Sequence, residues 1–168
     1  MTETDKYVFF YGGPFSQWAP IQFTVTNIFG YTKITFLHAE QWMMYCKAKF
    51  FKDEEIAKKI MATESAEECK ALGKKVSNFN KKDWNGNYDT ESVAYQVVQI
   101  GNYYKFSQNS GAKKTLLNTG NKIIVEASPY DDIWGIKLGE SDPRILDERN
   151  WRGHNLLGKA LMQVRKEV

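Results

Sequence analysis

Cysteine and histidine are scarce in this sequence, long apolar runs are missing, and neither sign of charge dominates. The two cysteines, Cys46 and Cys69, stand alone with no Cys-x-x-Cys spacing. That excludes a disulfide framework and a redox pair, and leaves two reduced, partly buried residues on helical patterns. The two histidines, His38 and His154, share no metal-ligand spacing, so no metal centre is expected. No segment has the length and apolarity of a membrane span, and no leader pattern opens the chain. The expectation is a soluble, cytoplasmic protein with no membrane contact and no protein partner evident. A net charge of +3 permits an anionic ligand without marking a nucleic-acid-binding surface. The Gly12-Gly13 pair is too little for a nucleotide-binding glycine fingerprint. Repeats, low-complexity segments and linkers are also missing, and 168 residues suffice for one domain with a substantial core, taken as residues 1–168.

What the chain does have is aromatic side chains, 14% of its residues, with five Trp, nine Tyr and ten Phe. Such side chains fill cores and also line pockets that hold rings. The stretch around which they gather is His38 to Phe51, which reads as a helix. At about 100° per residue, Glu40, Met43, Met44, Lys47 and Phe51 share a face, with Trp42, Cys46 and Phe50 on its flank. Surface helices turn their charges away from the apolar stripe. Glu40 sits on it, and therefore needs a partner, a ligand or a raised pKa. Either Lys47 or a charge from elsewhere pairs with it, or it is an active-site acid.

The remaining elements follow from local pattern. Residues 1–6 are polar and expected to fray. Tyr7 to Phe10 is strand-like and ends in turn chemistry at Tyr11-Gly12-Gly13-Pro14. Phe15 to Pro20 is too aromatic for an ordinary loop: it caps the core or walls a site, with Trp18 as a candidate for substrate contact. Ile21–Val25 and Tyr31–Phe36 predict a β-hairpin. Asp53 caps a helix over 54–61, and Ser65-Ala66-Glu67-Glu68 is a capping-box pattern opening another, followed by Gly73-Lys74-Lys75. Lys81 to Asn87 reads as a polar loop carrying Trp84. The longest helix is expected from an Asp89 or Thr90 cap to about Phe106, with Val93, Val97, Ile100 and Tyr104 inward. A short helix over 112–118 stops at Gly120, and Lys122 to Ala127 is a strand. It leads into Ser128-Pro129-Tyr130-Asp131-Asp132-Ile133-Trp134, two carboxylates and a tryptophan just past a strand end. Those aspartates either cap a turn or belong to a site. The last helix is expected over 156–165, with Gly158 allowing a close helix contact.

Several of these stretches together resemble the NADAR, or YbiA-like, family. They are Phe15-Ser16-Gln17-Trp18, Ala39 to Met44 with Lys47-Ala48, Leu72 to Val76, Trp84, Lys105 to Asn109, Glu126 to Asp131 with Ile133 to Ile136, and Trp151 to Arg165. They occur in the family's order and span nearly the whole chain. The resemblance implies an α+β fold, mainly helical, in one compact domain with a small β component. It implies N-glycosidase chemistry on ribose attached to nitrogen. YbiA-like members cleave phosphorylated early intermediates of riboflavin synthesis, releasing ribose 5-phosphate; others remove ADP-ribose from guanine in nucleic acid. The family's functional positions fall on Glu40, Trp84, Asp131 and Trp134. The sequence departs from the family at Lys74, where arginine is common, at Lys137, where a glycine is common, and at Tyr88, where a basic residue often follows the loop tryptophan. Lysine holds phosphate as a point charge rather than a planar fork.

Breaking a ribosyl C–N bond builds positive charge on the sugar and negative charge on the departing base. Glu40 and Asp131 are the expected acids: Glu40 to orient or deprotonate water or to bind ribose hydroxyls, Asp131 to steady the oxocarbenium-like state or to take the complementary acid/base role. Trp84 and Trp134 are expected to shield base and sugar, with Trp18 beside them. Lys47, Lys75 and Lys105 are candidates for the phosphate, and Gln108 and Asn109, within a matching stretch, for further substrate contacts. The reaction requires no cofactor. The expected partner is a small phosphorylated ribosyl compound or ADP-ribosylated nucleic acid; the alternative from another class is a non-catalytic module that binds ADP-ribose or an NAD derivative.

Overall fold

A computed structural model describes residues 1–168. At its centre lies helix α1 (Ala39–Phe50), and the apolar stripe expected of it widens to almost the full circumference: every residue from Ala39 to Cys46 is buried, and Ala48 with them. His38 caps it, its Nδ1 accepting the Gln41 N–H at 3.1 Å. Around α1 pack the hairpin β3 (Phe23–Ile28) and β4 (Tyr31–Phe36), then α2 (Glu54–Met61) and α3 (Ala66–Gly73). Asp53 and Ser65 cap the two helices as expected, accepting from the N–H groups of Ile56 and Glu68. The capping box is only half formed, because the Glu68 carboxylate turns to the Thr63 hydroxyl at 2.6 Å.

The longest helix, α5 (Val93–Gln108), crosses α1. It begins later than its sequence suggests, because Ser92 provides the cap, its Oγ accepting the Tyr95 N–H at 3.1 Å. Its buried face is also rotated by one position: Ala94, Val98, Gly101, Asn102 and Lys105 face inward, while Ile100 is 43% exposed. Trp42 explains the shift. Its indole N–H donates to the Val97 carbonyl at 2.7 Å, and a Cβ on Gly101 would stand 2.3 Å from Trp42 Cδ1. The small and polar face of α5 is what lets so large a ring lie against the backbone.

Before α5 comes a short helix, α4 (Lys81–Asn85), where a polar loop was expected; Asn80 caps it. After α5 come α6 (Ser110–Leu117), β5 (Ile123–Glu126), two short 3-10 turns (Pro143–Leu146 and Glu148–Asn150) and α7 (Leu156–Glu167). The polar N-terminus does not fray: β1 (Thr2–Glu3) pairs antiparallel with β2 (Tyr7–Phe10). β2 pairs in parallel with β5, Tyr7 opposite Ile123 and Phe10 opposite Glu126. All four residues of β2 are buried because the sheet is covered on both faces. Val8 and Phe10 join the main core, and Tyr7 and Phe9 a smaller cluster with Val125, Ala127, Ile136, Leu138 and Ile145.

α7 is joined to β5 at its own start. Asn155, in the left-handed region at φ 51°, accepts the Glu126 N–H with its Oδ1 at 2.9 Å and donates from Nδ2 to the Ile124 carbonyl at 3.0 Å. One turn on, a Cβ at Gly158 would lie 2.1 Å from that same carbonyl, so the close approach foreseen for this glycine is made to a strand rather than to a helix. No helix is long and apolar enough to cross a membrane.

Candidate active site

β2 and β5 run in the same direction and end together, so the chain leaves both strands along one rim. Outside it lies a hollow of about 700 Å³, between the ends of the strands, α1 and α3. Ligands bind outside the carboxyl ends of parallel strands for this reason: successive loops diverge there and leave a crevice.

Glu40 stands in the first turn of α1 and is 7% exposed. Its N–H donates to the Gln17 carbonyl at 2.9 Å, which fastens the segment 15–18 to the helix start. None of the chain's ion pairs includes Glu40, so pairing with Lys47 is not how its charge is settled. Burial raises its pKa to about 7; Lys70, the Trp18 indole and Lys47 pull the other way, and Asp131 adds to the rise. The Lys47 ammonium lies 4.3 Å from the Phe79 ring centroid, and burial lowers its pKa.

Asp131 reaches the hollow from the segment after β5. Its Oδ1 accepts the N–H groups of Ile133 at 2.9 Å and Trp134 at 2.8 Å. It therefore caps a turn and faces the site at once. Backbone bonds hold this turn from both sides: Ile136 N–H to the Glu126 carbonyl, His154 N–H to Asp132, Asn155 N–H to Gly135, and Leu157 N–H to Trp134. The packing is close enough that a Cβ on Gly153 would lie 2.2 Å from the Gly135 carbonyl. Lys137, where the resemblance leads to the expectation of a glycine, sits at φ 57°. A left-handed backbone suits glycine, and a lysine there carries the strain of that conformation.

Of the residues singled out from the sequence, Glu40, Asp131, Lys47, Trp18, Trp84 and Trp134 line the one hollow. Trp18 is 44% exposed at its edge, and Trp134 is half-buried. Trp84 is corrected in one respect. It is 3% exposed on α4, its ring 5.9 Å from that of Phe50 and 6.3 Å from that of Phe51. It is a wall of the core that also borders the cavity, carried on a helix rather than a loop.

Four residues lie elsewhere. Lys75 is exposed just beyond α3; the lysines on the hollow are Lys70 and Lys74, one helical turn apart, with Lys47 from α1. Lys105 is fully buried, its Nζ donating to the Ser16 carbonyl at 2.9 Å. Gln108 bridges the β3 edge, its Oε1 accepting the Thr24 N–H at 2.8 Å and its Nε2 donating to the Thr24 carbonyl at 2.7 Å. Asn109 donates to the carbonyls of Gln22 and Lys105. The matching stretch Lys105 to Asn109 thus serves as a brace behind the site wall. Tyr88, the remaining departure, stacks on His154 with ring centroids 5.4 Å apart.

Besides Lys70, both Gln17 and Glu126 escaped the sequence reading as site residues. Gln17 lines the hollow; its Oε1 accepts from Asn102 Nδ2 at 2.8 Å, and its own Nε2 is buried with no acceptor. Glu126 also lines it, with a buried Oε2 that has no partner. The available signal was a single acid ending an otherwise apolar parallel strand.

A NADAR domain profile matches residues 9–168. An N-glycosidase of Acanthamoeba polyphaga mimivirus is 44% identical over 173 residues, covering 98% of this chain and 98% of the relative. The N-glycosidase YbiA of Shigella boydii is 29% identical over 124 residues, covering 74% of this chain and 67% of the relative. The NMR structure of the E. coli protein YbiA superposes with a TM-score of 0.72 at 24% identity, covering 99% of this chain and 86% of that one, and so shares the fold. With the profile running through every wall of the hollow, and a relative matched from end to end, the chain belongs to the NADAR domain family.

Proposed function

We propose that this protein is an N-glycosidase that hydrolyses the C1′–N bond of a phosphorylated N-riboside and releases the ribose phosphate. The observation that carries the reading is the meeting of Glu40 and Asp131 in one aromatic-walled hollow with lysines along its side. The near-full-length N-glycosidase relative supports the same reaction class.

The two carboxyls sit in different environments, which is how two acids acquire different tasks. Asp131 accepts two backbone N–H bonds, which hold its carboxyl group in place to face the positive charge that develops at C1′. Glu40, raised to about 7, gains and loses its proton near neutrality and is suited to take one from the attacking water. The buried Gln17 amide, with a free donor, is available to a ribose hydroxyl. Trp134 and Trp18 offer faces to the ring, and Lys47, Lys70 and Lys74 meet the phosphate.

A second reading is ADP-ribose attached to guanine. It is favoured by the exposed aromatics at the mouth: Tyr11 at 55%, Trp18 at 44% and Tyr130 at 82%, since single-stranded nucleic acid stacks its bases on such side chains. Incubation with a ribosylaminopyrimidine 5′-phosphate and with ADP-ribosylated DNA, followed by measurement of free ribose 5-phosphate and free ADP-ribose, tests both. Release of the first product supports the proposal. Release of the second alone moves the substrate to the nucleic acid, and tight binding of ADP-ribose without release of either product refutes hydrolysis.

A further inference from the structure

Hydrolysis as described above has a group for the water and a group for the sugar cation, but none for the base. A ring amine leaves with the electron pair of the broken bond, and without a proton it leaves as a poor, strongly basic anion.

Glu126 is placed to meet that need. It ends β5 at the rim of the hollow, and its backbone is immobilised on both sides, the N–H on Asn155 Oδ1 at 2.9 Å and the carbonyl on the Ile136 N–H at 3.1 Å. Its Oε2 is buried and has no protein partner, although buried polar atoms are ordinarily satisfied. The charged groups facing it are Asp131 from the loop that follows, Glu40 from α1 and Lys70 from α3, two acids against one base. Three ionised carboxylates in one hollow would repel one another, and an uncharged Glu126 relieves this.

We infer that Glu126 is the general acid of the reaction, donating the proton of its carboxyl group to the departing nitrogen as the C1′–N bond breaks. This rests on the hydrolytic reading above. The electron pair of the C1′–N bond goes to nitrogen, which takes the Glu126 proton. The water oxygen bonds to C1′, and its proton passes to Glu40. Exchange with solvent returns Glu40 to its ionised form and Glu126 to its protonated form, so one water is consumed and nothing is oxidised or reduced. Burial and the two neighbouring acids raise the Glu126 carboxyl to about 8, so it holds its proton at neutral pH while Glu40, at about 7, is partly ionised.

The test is single-turnover release of ribose 5-phosphate from a ribosylaminopyrimidine 5′-phosphate, from about pH 5.5 to 9.5, by wild type, Glu126→Gln and Glu126→Asp. The wild type is expected to lose activity on the alkaline side near pH 8. Glu126→Gln is expected to fall by ~10²-fold or more and to lose that alkaline limb. Glu126→Asp should restore part of the rate and keep the limb. A Glu126→Gln rate within about threefold of wild type, or a reduced rate that still carries the alkaline limb, overturns the assignment while leaving the hydrolytic reading intact. Wild type that releases neither ribose 5-phosphate from this substrate nor ADP-ribose from ADP-ribosylated DNA removes both. Should Glu126→Gln fail to fold by circular dichroism, the wild-type Glu126 carboxyl is followed by ¹³C NMR. Titration matching the alkaline limb supports the assignment, and ionisation complete below about pH 6 overturns it.

Discussion

Replacing Lys105 by methionine should stabilise the protein strongly at neutral pH and hardly at all above pH 10. Lys105 is buried completely against the back of the site wall, its ammonium donating to one carbonyl, that of Ser16, and lying 5.0 Å from the Phe106 ring centroid. No carboxylate pairs with it. Burial lowers its pKa from 10.5 to about 7. At about 1.4 kcal/mol per pH unit this corresponds to a penalty of about 5 kcal/mol when the group is held charged inside the fold. The sign follows from proton uptake. Between about 7 and 10.5 the unfolded chain keeps a proton that the folded chain has released, so stability from this group rises with pH across that window and the penalty is complete below it. Methionine fills similar volume without a charge but gives up the hydrogen bond to Ser16, which returns about 1 kcal/mol. Urea unfolding of both proteins at pH 7 and pH 9 should show the advantage of Lys105→Met shrinking by on the order of 2–3 kcal/mol at the higher pH. Glu40 and Glu126, whose raised values lower stability as pH climbs, titrate in both proteins and cancel in the difference. An advantage that does not change with pH would refute the reasoning, since it would mean that the buried amine never releases its proton. The variant should also bind substrate less tightly, because the carbonyl it abandons belongs to the segment that carries Gln17 and Trp18.

Glu40→Gln should lower turnover by on the order of 10² or more and remove an acidic limb near pH 7, with thermal unfolding unchanged; full activity in the ribose-release assay would make Glu40 a structural residue. Lys74→Ala should raise KM for a phosphorylated riboside but not for the dephosphorylated one, whereas Lys75→Ala, outside the hollow, should change neither; steady-state kinetics on the paired substrates checks both. Gly101→Ala places a Cβ 2.3 Å from Trp42 Cδ1, and overpacking of that kind costs about 1–3 kcal/mol. Calorimetry should show a fall in Tm of several degrees, and an unchanged Tm would mean that the α1–α5 seam has room the structure does not show.

Local chemistry carried most of the elements. Asp53 and Ser65 announce their helices because a side-chain oxygen three residues before a free N–H needs no tertiary help, and the hairpin follows from alternation around Gly30. What a one-dimensional pattern cannot carry is which side of an element the rest of the chain will cover. The tilt of the buried face of α5 toward Ala94 and Lys105 depends on where the Trp42 ring lands. Trp84 looked like loop chemistry because its neighbours are polar, yet Phe50 and Phe51 arrive from another helix to enclose it. Glu40 stood out because a charge on an apolar stripe is anomalous within its own helix. Glu126 did not, since an acid at the end of a strand is ordinary until the partnerless oxygen is seen. Lys105, Gln108 and Asn109 show the limit of motif transfer: a stretch shared with a family marks what must be kept, and here what is kept is the frame behind the cavity.

Asn155 has a consequence for the company this protein keeps. An outer strand with free N–H and carbonyl groups invites a neighbouring molecule to add its own strand. Along β5 that invitation is answered from within: the Asn155 amide imitates the hydrogen-bonding edge of a missing strand at the Ile124 carbonyl and the Glu126 N–H, and the Ile136 N–H takes the Glu126 carbonyl. The same side chain that steadies the backbone of Glu126 thus also fills part of the sheet's open edge, so one small residue at the start of the last helix serves both the proposed acid and the closure of the sheet.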